Sequence, residues 1–495
     1  MRIALICFHS SPVGRLGEKN TGGMNVYVRQ LARELAVQGN DVDIFTRTHY
    51  GDEPQINPIY PAGISPVDTL PADTSDGSGI GDNRNAAHTS DAGGADTPPQ
   101  HGTARVIHLD AGPAHADKED LLQYTGEFVD AVLAFQRREG VEYALVHSHY
   151  WLSGVVGIEL GRVWDAPHFA TFHTLARTKQ RARAGERETL ERANAEQRII
   201  DSAKALVVST YIERDDISRL YQVNGTPIVV IPPGVDTTLF SPADKRASRD
   251  SLGLPDTRTI LYVGRIEPLK GLDILIRAAS LIHNEHDRHN EHDRHDGGIA
   301  DSEHVSEDGG IADAAPSRIG YDRADNDNSG NSGKSEDTMR LLIVGGTLEG
   351  DAEVERLRTL AAELGIGDMV TFTGSVEQEL LPAYYNAADV FVLPSWYESF
   401  GLVAVEAMAC GTPVVVSRVG GLTTFVEHGK TGYLVPWRCP DAFARSLETL
   451  LENPSLRQAM GGAARRKANR MSWAAMANDM IACYHNVITD TDGQN

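Results

Sequence analysis

Short apolar runs rich in β-branched residues alternate with longer amphipathic segments along most of this chain, and that rhythm restricts the fold more than any other feature. In the first half the runs fall at residues 3–8, 42–46, 106–109, 144–147, 169–172, 206–209 and 228–231. In the second half they fall at 260–263, 341–344, 370–373, 390–393, 413–417 and 432–435. A strand followed by a helix and another strand must cross over, so such alternation builds parallel sheets covered by helices on both faces. A Pro/Gly-rich stretch, "IPPGVDTTLFSP" at 231–242, separates the two series. At 495 residues the chain is also too long for one ordinary core. The expected fold is α/β, with two doubly wound, Rossmann-like domains facing each other across a cleft. They would span 1–235 and 236–470, with 471–495 a helix that packs back toward the first domain. Ligands in such sheets bind beyond the C-terminal strand ends, which places the chemistry in the cleft.

Two segments break the rhythm. Residues 71–104 are rich in Gly, Ser, Asp and Pro, and they offer too little apolar surface to offset ordering entropy. Residues 284–338 open with a tandem duplication, "NEHDRH" at 284–289 and again at 290–295, and repeat "DGGIAD" at 296–301 and 308–313. Both segments are expected to be disordered insertions. The second holds five histidines between 286 and 304, so metal binding is weighed against a duplicated solvated loop. Residues 52–104 carry eight acidic side chains against one arginine, and 284–338 carry fifteen against five basic ones. Together they account for −17 of the formal −23, so the acidity belongs to these segments. It argues against a nucleic-acid partner. No run approaches a membrane span, and "MRIALICFHSSP" reads as a first strand rather than a signal-peptide core. Cys7, Cys410, Cys439 and Cys483 show no metal-type or redox-type pairing, which suits a reducing, cytoplasmic setting.

In "NTGGMNVYVRQLARELAVQG" (20–39), Met24, Tyr27, Val28, Leu31 and Leu35 share one helical face. Gly22 and Gly23 then occupy the helix start, where free N–H groups attract an anion and absent side chains permit close approach. A tight turn with no ligand is the alternative. The spacing is not that of a dinucleotide fingerprint, and "DIFTR" closes the second strand without the acidic ribose ligand. In "YVGRIEPLKGLDILIRA" (262–278), Arg265 and Lys270 lie on one loop between a strand and a helix, which suits a diphosphate. In "PSWYESFGLVAVEAMACGTPVVVSRVGG" (394–421), Glu398 and Glu406 are eight apart, with Glu406 expected about two turns into a helix that begins near Gly401. Ionised carboxylates accept only, so each suits sugar or ribose hydroxyls. "HSHYWLSG" (147–154) and "TFHTLARTKQ" (171–180) bring Tyr150, His173 and Thr174 to the same rim, beside His147 and His149. Without an HExxH-type spacing, these histidines are not read as a catalytic metal site.

Taken together, "GGMNVYV", "VGRIEPLKG" and "ESFGLVAVE" with its Glu-x7-Glu spacing resemble the retaining glycosyltransferases of family 4, which have the GT-B architecture. The resemblance covers nearly all of the chain outside the two insertions. It implies that Gly23, Arg265 and Lys270 hold a donor diphosphate, Glu406 the ribose, Glu398 the transferred sugar, and the backbone at Val376 the uracil. His173 would contact the donor sugar near the reacting carbon. With Arg265, Lys270 and Glu398 it makes up the catalytic set that the resemblance implies. Within the family, the first domain is most similar to members that move N-acetylglucosamine from a UDP donor to inositol 3-phosphate. Their acceptor positions match His9, Gly22, Met24, Asn25, Lys118, Tyr150, Thr174 and Arg192. Of these, Lys118, Tyr150, Thr174 and Arg192 would form a phosphate pocket.

The chain also departs from the family. Arg15 and Leu16 stand at donor-side positions where the family tends to have Gln-Pro, and 180–190 is unusually basic. Some members hold a structural magnesium ion through positions matching Tyr385, Ala388 and Thr412; here Asn386 replaces the usual arginine. The transfer itself requires no cofactor, and a homodimer stays open as the assembly. Three enzymatic alternatives share the architecture: a sucrose-phosphate type enzyme, a phosphoinositide transferase and a sugar-nucleotide 2-epimerase. A sugar-nucleotide-binding regulator should have lost Glu398, Arg265 or Lys270, and all three are present.

Overall fold

A computed structural model describes residues 1–14, 22–49, 51, 53–59, 101–182, 189–296, 339–348 and 350–492. The first domain is built on β1 (Arg2–Ile6), β2 (Asp41–Arg47), β3 (Ile56–Ile59), β4 (Ala104–Leu109), β5 (Leu145–His149), β6 (His168–Thr171), β7 (Ala205–Val208) and β8 (Ile228–Val230). They form one sheet in the order β3-β4-β2-β1-β5-β6-β7-β8, parallel except for β3. The second domain has β9 (Arg258–Val263), β10 (Met339–Val344), β11 (Val370–Gly374), β12 (Val390–Leu393), β13 (Val414–Ser417) and β14 (Gly432–Val435). Its sheet runs β11-β10-β9-β12-β13-β14, parallel in every pairing.

The central apolar runs become strands because their residues can be buried on both faces, while β8 and β11 at the sheet edges are only half-buried. In β1, Ile3 and Leu5 point into one core with the helix Gly23–Val37, while Ala4 and Ile6 point into the other. That helix packs through Tyr27, Val28, Leu31 and Leu35, all nearly or wholly buried. Full burial of such side chains contributes roughly 1.5–3 kcal/mol each. The strand missed in the sequence is β3, whose four residues "INPI" alternate exposed and half-buried and include Pro58. A proline is tolerated there because β3 is an antiparallel edge strand.

Both insertion boundaries need correction. Residues 101–104 are tied into the first domain: Gly102 N–H donates to Ala36 O, Thr103 N–H to Asp41 Oδ1, and Ala104 opens β4. The helix Leu272–Asp296 runs through both copies of "NEHDRH". Nothing in 272–296 breaks a helix, and the first glycines follow at 297–298. The remainder of both insertions lies outside the described residues, as does the question of a histidine metal site there.

The chain crosses between domains twice. After the 231–242 linker it returns past Ala468, where Val235 N–H donates to Met471 O. A Cβ on Gly234 would lie 2.2 Å from Trp473 N, so only glycine lets the two crossings touch. The helix Trp473–Asp492 then packs Trp473, Met476, Ala477, Met480, Cys483 and Tyr484 into the first domain's core.

Candidate active site

In each sheet the order reverses beside one strand. β1 lies between β2 and β5, and β9 between β10 and β12. The loops that leave these strand ends face each other around a cavity of about 290 Å³. From the first domain, His9, Gly22, Gly23, Met24, Asn25, Lys118, Tyr150, His173 and Thr174 line it. From the second come Arg265, Lys270, Val376, Glu398 and Glu406. A second cavity of about 520 Å³ shares Lys118, Thr174, Arg265, Lys270 and Glu398 and adds Arg47, His49 and Lys179. Arg15 and Leu16 lie outside the described residues.

Two helix starts meet at the cleft, those of Gly23–Val37 and Leu402–Ala409. A Cβ at Gly22 would sit 3.6 Å from Arg265 Nε, and one at Gly23 would sit 3.5 Å from Leu402 Cδ1. Those are ordinary contacts, so the protein's own packing does not demand glycine; the bare backbone keeps the space between the domains open. Asn25, expected to face the acceptor hydroxyls, lines the cavity and is also bonded within the first domain. Its Nδ2 donates to Ser10 Oγ at 2.7 Å and Ser11 O at 2.8 Å, and its Oδ1 accepts from Gly22 N–H at 3.0 Å. Both amide hydrogens are committed, so Asn25 braces the Gly22 turn against the loop after β1.

Across the cleft, Lys270 Nζ lies 2.7 Å from Glu398 Oε2, and Arg265 Nη1 lies 2.6 Å from Glu267 Oε1. Lys270 ends the short turn Pro268–Lys270, which Gly271 closes in the left-handed region at φ +67°. A Cβ there would also come within 2.3 Å of Pro394 O. The Gly-Gly loop has a comparable reason: a Cβ at Gly420 would meet Glu398 O at 2.0 Å, so the loop holds the Glu398 backbone by direct contact. Glu406 sits little more than one turn into the helix Leu402–Ala409, not two, because it is only the fifth residue of a helix that begins where expected. Its Oε2 accepts from Tyr385 Oη at 2.8 Å, and burial pushes its carboxyl up to about 7. Gln378 Nε2 stands 3.5 Å from Glu406 Oε1, while Gln378 Oε1 accepts from Arg29 of the opposite domain.

The four expected phosphate ligands are brought together around one ring. Lys118 Nζ lies 4.6 Å from the centroid of Tyr150, and the Arg192 guanidinium carbon 5.1 Å. Burial alone would raise the phenol's pKa, but the charges of Lys118 and Arg192 outweigh it and hold the value below the usual one. The His9 ring packs on Tyr150 with centroids 4.2 Å apart. Arg192 is almost buried and reaches the pocket through Thr174, whose carbonyl and hydroxyl accept from Nη2 at 2.9 and 3.2 Å. Its Nε donates to Glu196 Oε1 at 2.8 Å, and Glu196 also accepts from Ala176 N–H and the Tyr221 hydroxyl. Sequence reasoning missed Glu196, although its i,i+4 spacing from Arg192 was available as a signal. It also missed Arg47, whose guanidinium holds Pro113 O at 2.6 Å and Ala114 O at 3.0 Å and so fixes the loop leading to Lys118. Ser399, which donates to His173 O from the other domain, left no signal.

His147 lies deeper than the rim, with Nδ1 2.7 Å from Tyr484 Oη and Nε2 2.9 Å from Thr171 Oγ1. Burial lowers the imidazoles of His9, His49, His147, His149, His168 and His173, to about 3 for His147 and His173 and about 4 for His49 and His168. These rings are neutral in the fold and take up protons only on unfolding. Their contribution to stability is complete above the ordinary histidine value and is lost as pH falls toward the folded values. Each costs up to about 1.4 kcal/mol per pH unit in that window. Glu213 and Glu406, both raised to about 7, act in the opposite sense but are fewer. The melting temperature should therefore drop steeply between about pH 6.5 and about pH 5. A flat profile by scanning calorimetry over that range would contradict the burial of these rings.

The side chains expected at the magnesium position take part in hydrogen bonds within the second domain. Thr412 Oγ1 donates to Tyr385 O at 2.7 Å, and Asn386 Oδ1 accepts from Ala243 N–H at 2.8 Å while its Nδ2 donates to Ser241 O and Pro382 O. The neighbouring carboxylate, Asp389, is paired with Lys245 and Arg249. A hard dication needs oxygen ligands with free lone pairs, and this neighbouring carboxylate is already neutralised by two cations. The hydrogen bonds of Asn386 staple the helix Leu381–Ala387 to the start of the second domain.

The family model described as "Glycosyl transferase 4-like domain" matches residues 22–234, and that described as "Glycosyl transferases group 1" matches residues 330–467. The chain is 34% identical over 502 residues to the D-inositol 3-phosphate glycosyltransferase of Corynebacterium efficiens, covering all of this chain and 97% of that one. It is 35% identical over 495 residues to the enzyme of the same name from Acidothermus cellulolyticus, covering 99% of this chain and 91% of that one. Among solved structures, sucrose-phosphate synthase from Thermosynechococcus elongatus superposes with a TM-score of 0.74 at 30% identity, covering 99% of both chains. Anabaena HepE, in complex with UDP and glucose, shares the fold with a TM-score of 0.63 at 16% identity, over 98% of this chain and all of its own. No helix among the described residues is long and apolar enough to cross a membrane. With full-length relatives above 30% identity and the matching residues gathered at opposed strand ends, this chain belongs to the family 4 glycosyltransferases of GT-B architecture and is a glycosyltransferase.

Proposed function

We propose that the chain is a retaining enzyme that transfers N-acetylglucosamine from UDP-N-acetylglucosamine to 1D-myo-inositol 3-phosphate. The observation that carries the acceptor is the Tyr150 ring flanked by Lys118 and Arg192, with Thr174 beside them, next to the cavity shared with the second domain. Two cations and two hydroxyls suit a phosphate dianion, and a neutral acceptor would gain nothing from them. The names of the full-length relatives support the same acceptor. On the donor side, Lys270, Arg265 and the Gly23 N–H would neutralise the diphosphate as it departs. Glu406 would accept from the ribose, Glu398 from the sugar, and the backbone at Val376 would meet the uracil.

In the proposed step the acceptor hydroxyl oxygen bonds to the anomeric carbon on the face that the diphosphate leaves. The carbon–oxygen bond to the diphosphate breaks, and the departing phosphate oxygen takes the hydroxyl proton. No protein nucleophile is required; catalysis rests on positioning and charge stabilisation, with water excluded between the domains. A second reading, transfer to a phosphorylated hexose, is favoured by the 30% identity to a sucrose-phosphate synthase.

Offering UDP-N-acetylglucosamine or UDP-glucose with inositol 3-phosphate, free inositol or fructose 6-phosphate separates the two. The expected result is UDP release with UDP-N-acetylglucosamine and inositol 3-phosphate, and an α-linked product by NMR. Release with fructose 6-phosphate alone would replace the first reading by the second.

A further inference from the structure

His173 lines the cavity, and its backbone is held in the left-handed region at φ +59°, two residues past β6. Its Nε2 lies 3.1 Å from Nδ1 of His149, the last residue of β5. The His149 side chain has no exposure, and its Nε2 is buried with no hydrogen-bond partner among the described residues. Two imidazoles therefore share one hydrogen bond, and only one of them supplies the hydrogen.

The orphaned Nε2 of His149 decides which. Burial keeps both rings neutral, so each carries one hydrogen. If His173 donated from Nε2, the hydrogen of His149 would sit on its own Nε2, a buried N–H without an acceptor. Either tautomer leaves the His149 Nε2 without a hydrogen-bond partner, at a cost of about 1–3 kcal/mol, but an orphaned buried N–H is the rarer of the two in folded proteins. If His149 donates from Nδ1, its Nε2 is a bare lone pair and no hydrogen is stranded. His173 then accepts at Nε2 and carries its own hydrogen on Nδ1, the nitrogen left to it for the cavity.

We propose that His149 is a positioning residue that fixes His173 in its Nδ1–H tautomer, so that His173 offers the transferred sugar a hydrogen-bond donor and cannot act as a base. This rests on the donor-sugar role given to His173 above and deepens it. It also accounts for a rim histidine in a transfer whose proton goes to the leaving group. His149 does not line the cavity; its hydrogen bond to the lining is the one to His173, and its ring also packs edge-on against Tyr27.

Three variants and one spectroscopic measurement test the assignment on the full chain. Asparagine at 149 places an amide N–H close to where the histidine Nδ1–H lies; leucine and glutamine do not. We expect H149L and H149Q to lower kcat by roughly ten- to a hundredfold with acceptor KM little changed, and H149N to stay within about threefold of the parent. With a panel of monodeoxy UDP-sugars, one deoxy donor should be penalised in the parent enzyme and in H149N, and that penalty should vanish in H149L. Nitrogen-15 NMR of the unliganded protein should place the His173 hydrogen on Nδ1. A hydrogen on Nε2 overturns the proposal, as does full activity of H149L or equal impairment of all three variants. Failure of the parent protein to use any UDP-sugar would instead remove the donor-sugar reading, while the tautomer measurement would still stand or fall by itself.

Discussion

Replacing Lys270 by alanine is expected to lower kcat by about two to three orders of magnitude, the size seen when one preorganised charge-stabilising group is removed from a site. Lys270 is held from several directions. Its turn is closed by Gly271, Trp396 N–H donates to Leu269 O at 2.8 Å, and its ammonium is 2.7 Å from Glu398. The side chain therefore does not have to be ordered at the moment the diphosphate separates. Lysine brings a compact charge that follows the leaving oxygen, whereas arginine brings a planar fork. K270R should recover only a small part of the lost rate. The fold should tolerate K270A, because Lys270 and Glu398 keep some exposure and Glu398 retains the Ser395 hydroxyl at 3.4 Å. UDP release and thermal unfolding measured on the same samples separate the two effects. Turnover of K270A within about threefold of the parent would sink the diphosphate role.

The second large effect combines stability with recognition. Arg192 and Glu196 form an almost fully buried ion pair at 2.8 Å. Removing one member of such a pair leaves an uncompensated buried charge, so R192M should destabilise the protein by about 3–5 kcal/mol. It also takes one cation from beside Tyr150 and Thr174, and KM for a phosphorylated acceptor should rise by at least about tenfold, as a charged hydrogen bond worth 1.5–3 kcal/mol predicts. The double variant R192M/E196Q separates the two consequences. Glutamine keeps an oxygen to accept from Ala176 N–H but carries no charge, so urea unfolding should recover most of the lost stability. The KM should remain high, because the phosphate has still lost its guanidinium. Recovery of both properties in the double variant would mean that Arg192 supports the fold and takes no part in recognition.

Much of the fold was legible because two-sided burial writes itself into composition. All thirteen apolar runs are strands, since a parallel strand covered on both faces is mostly apolar, and even the half-buried edge strands β8 and β11 keep β-branched residues. β3 escaped because a short edge strand with one half-exposed face has neither the length nor the periodicity to stand out. The helix through the duplicated hexamers escaped for another reason. Polar composition argues against a core but not against a helix, and 272–296 simply lacks a residue that would stop one.

The candidate site divides in the same way. Gly23, Arg265, Lys270, Glu398 and Glu406 stand in local phrases whose spacing reflects one strand end or one helix start, so the sequence by itself placed them in the cleft. It also determined the two-domain α/β architecture and the location of the acidity. Contacts between distant segments were decided only by the tertiary structure: Arg29 on Gln378, Ser399 on His173, Arg47 on the loop before Lys118, and His149 on His173. Asn25 shows the limit most clearly, because its residue type fits an acceptor ligand equally well, yet packing against Ser10 and Ser11 consumes both of its amide hydrogens. Spacing along a chain reports what one element can present. Which hydrogen bonds remain free for a ligand depends on what the other elements have already taken, and that is settled only when the two sheets come together.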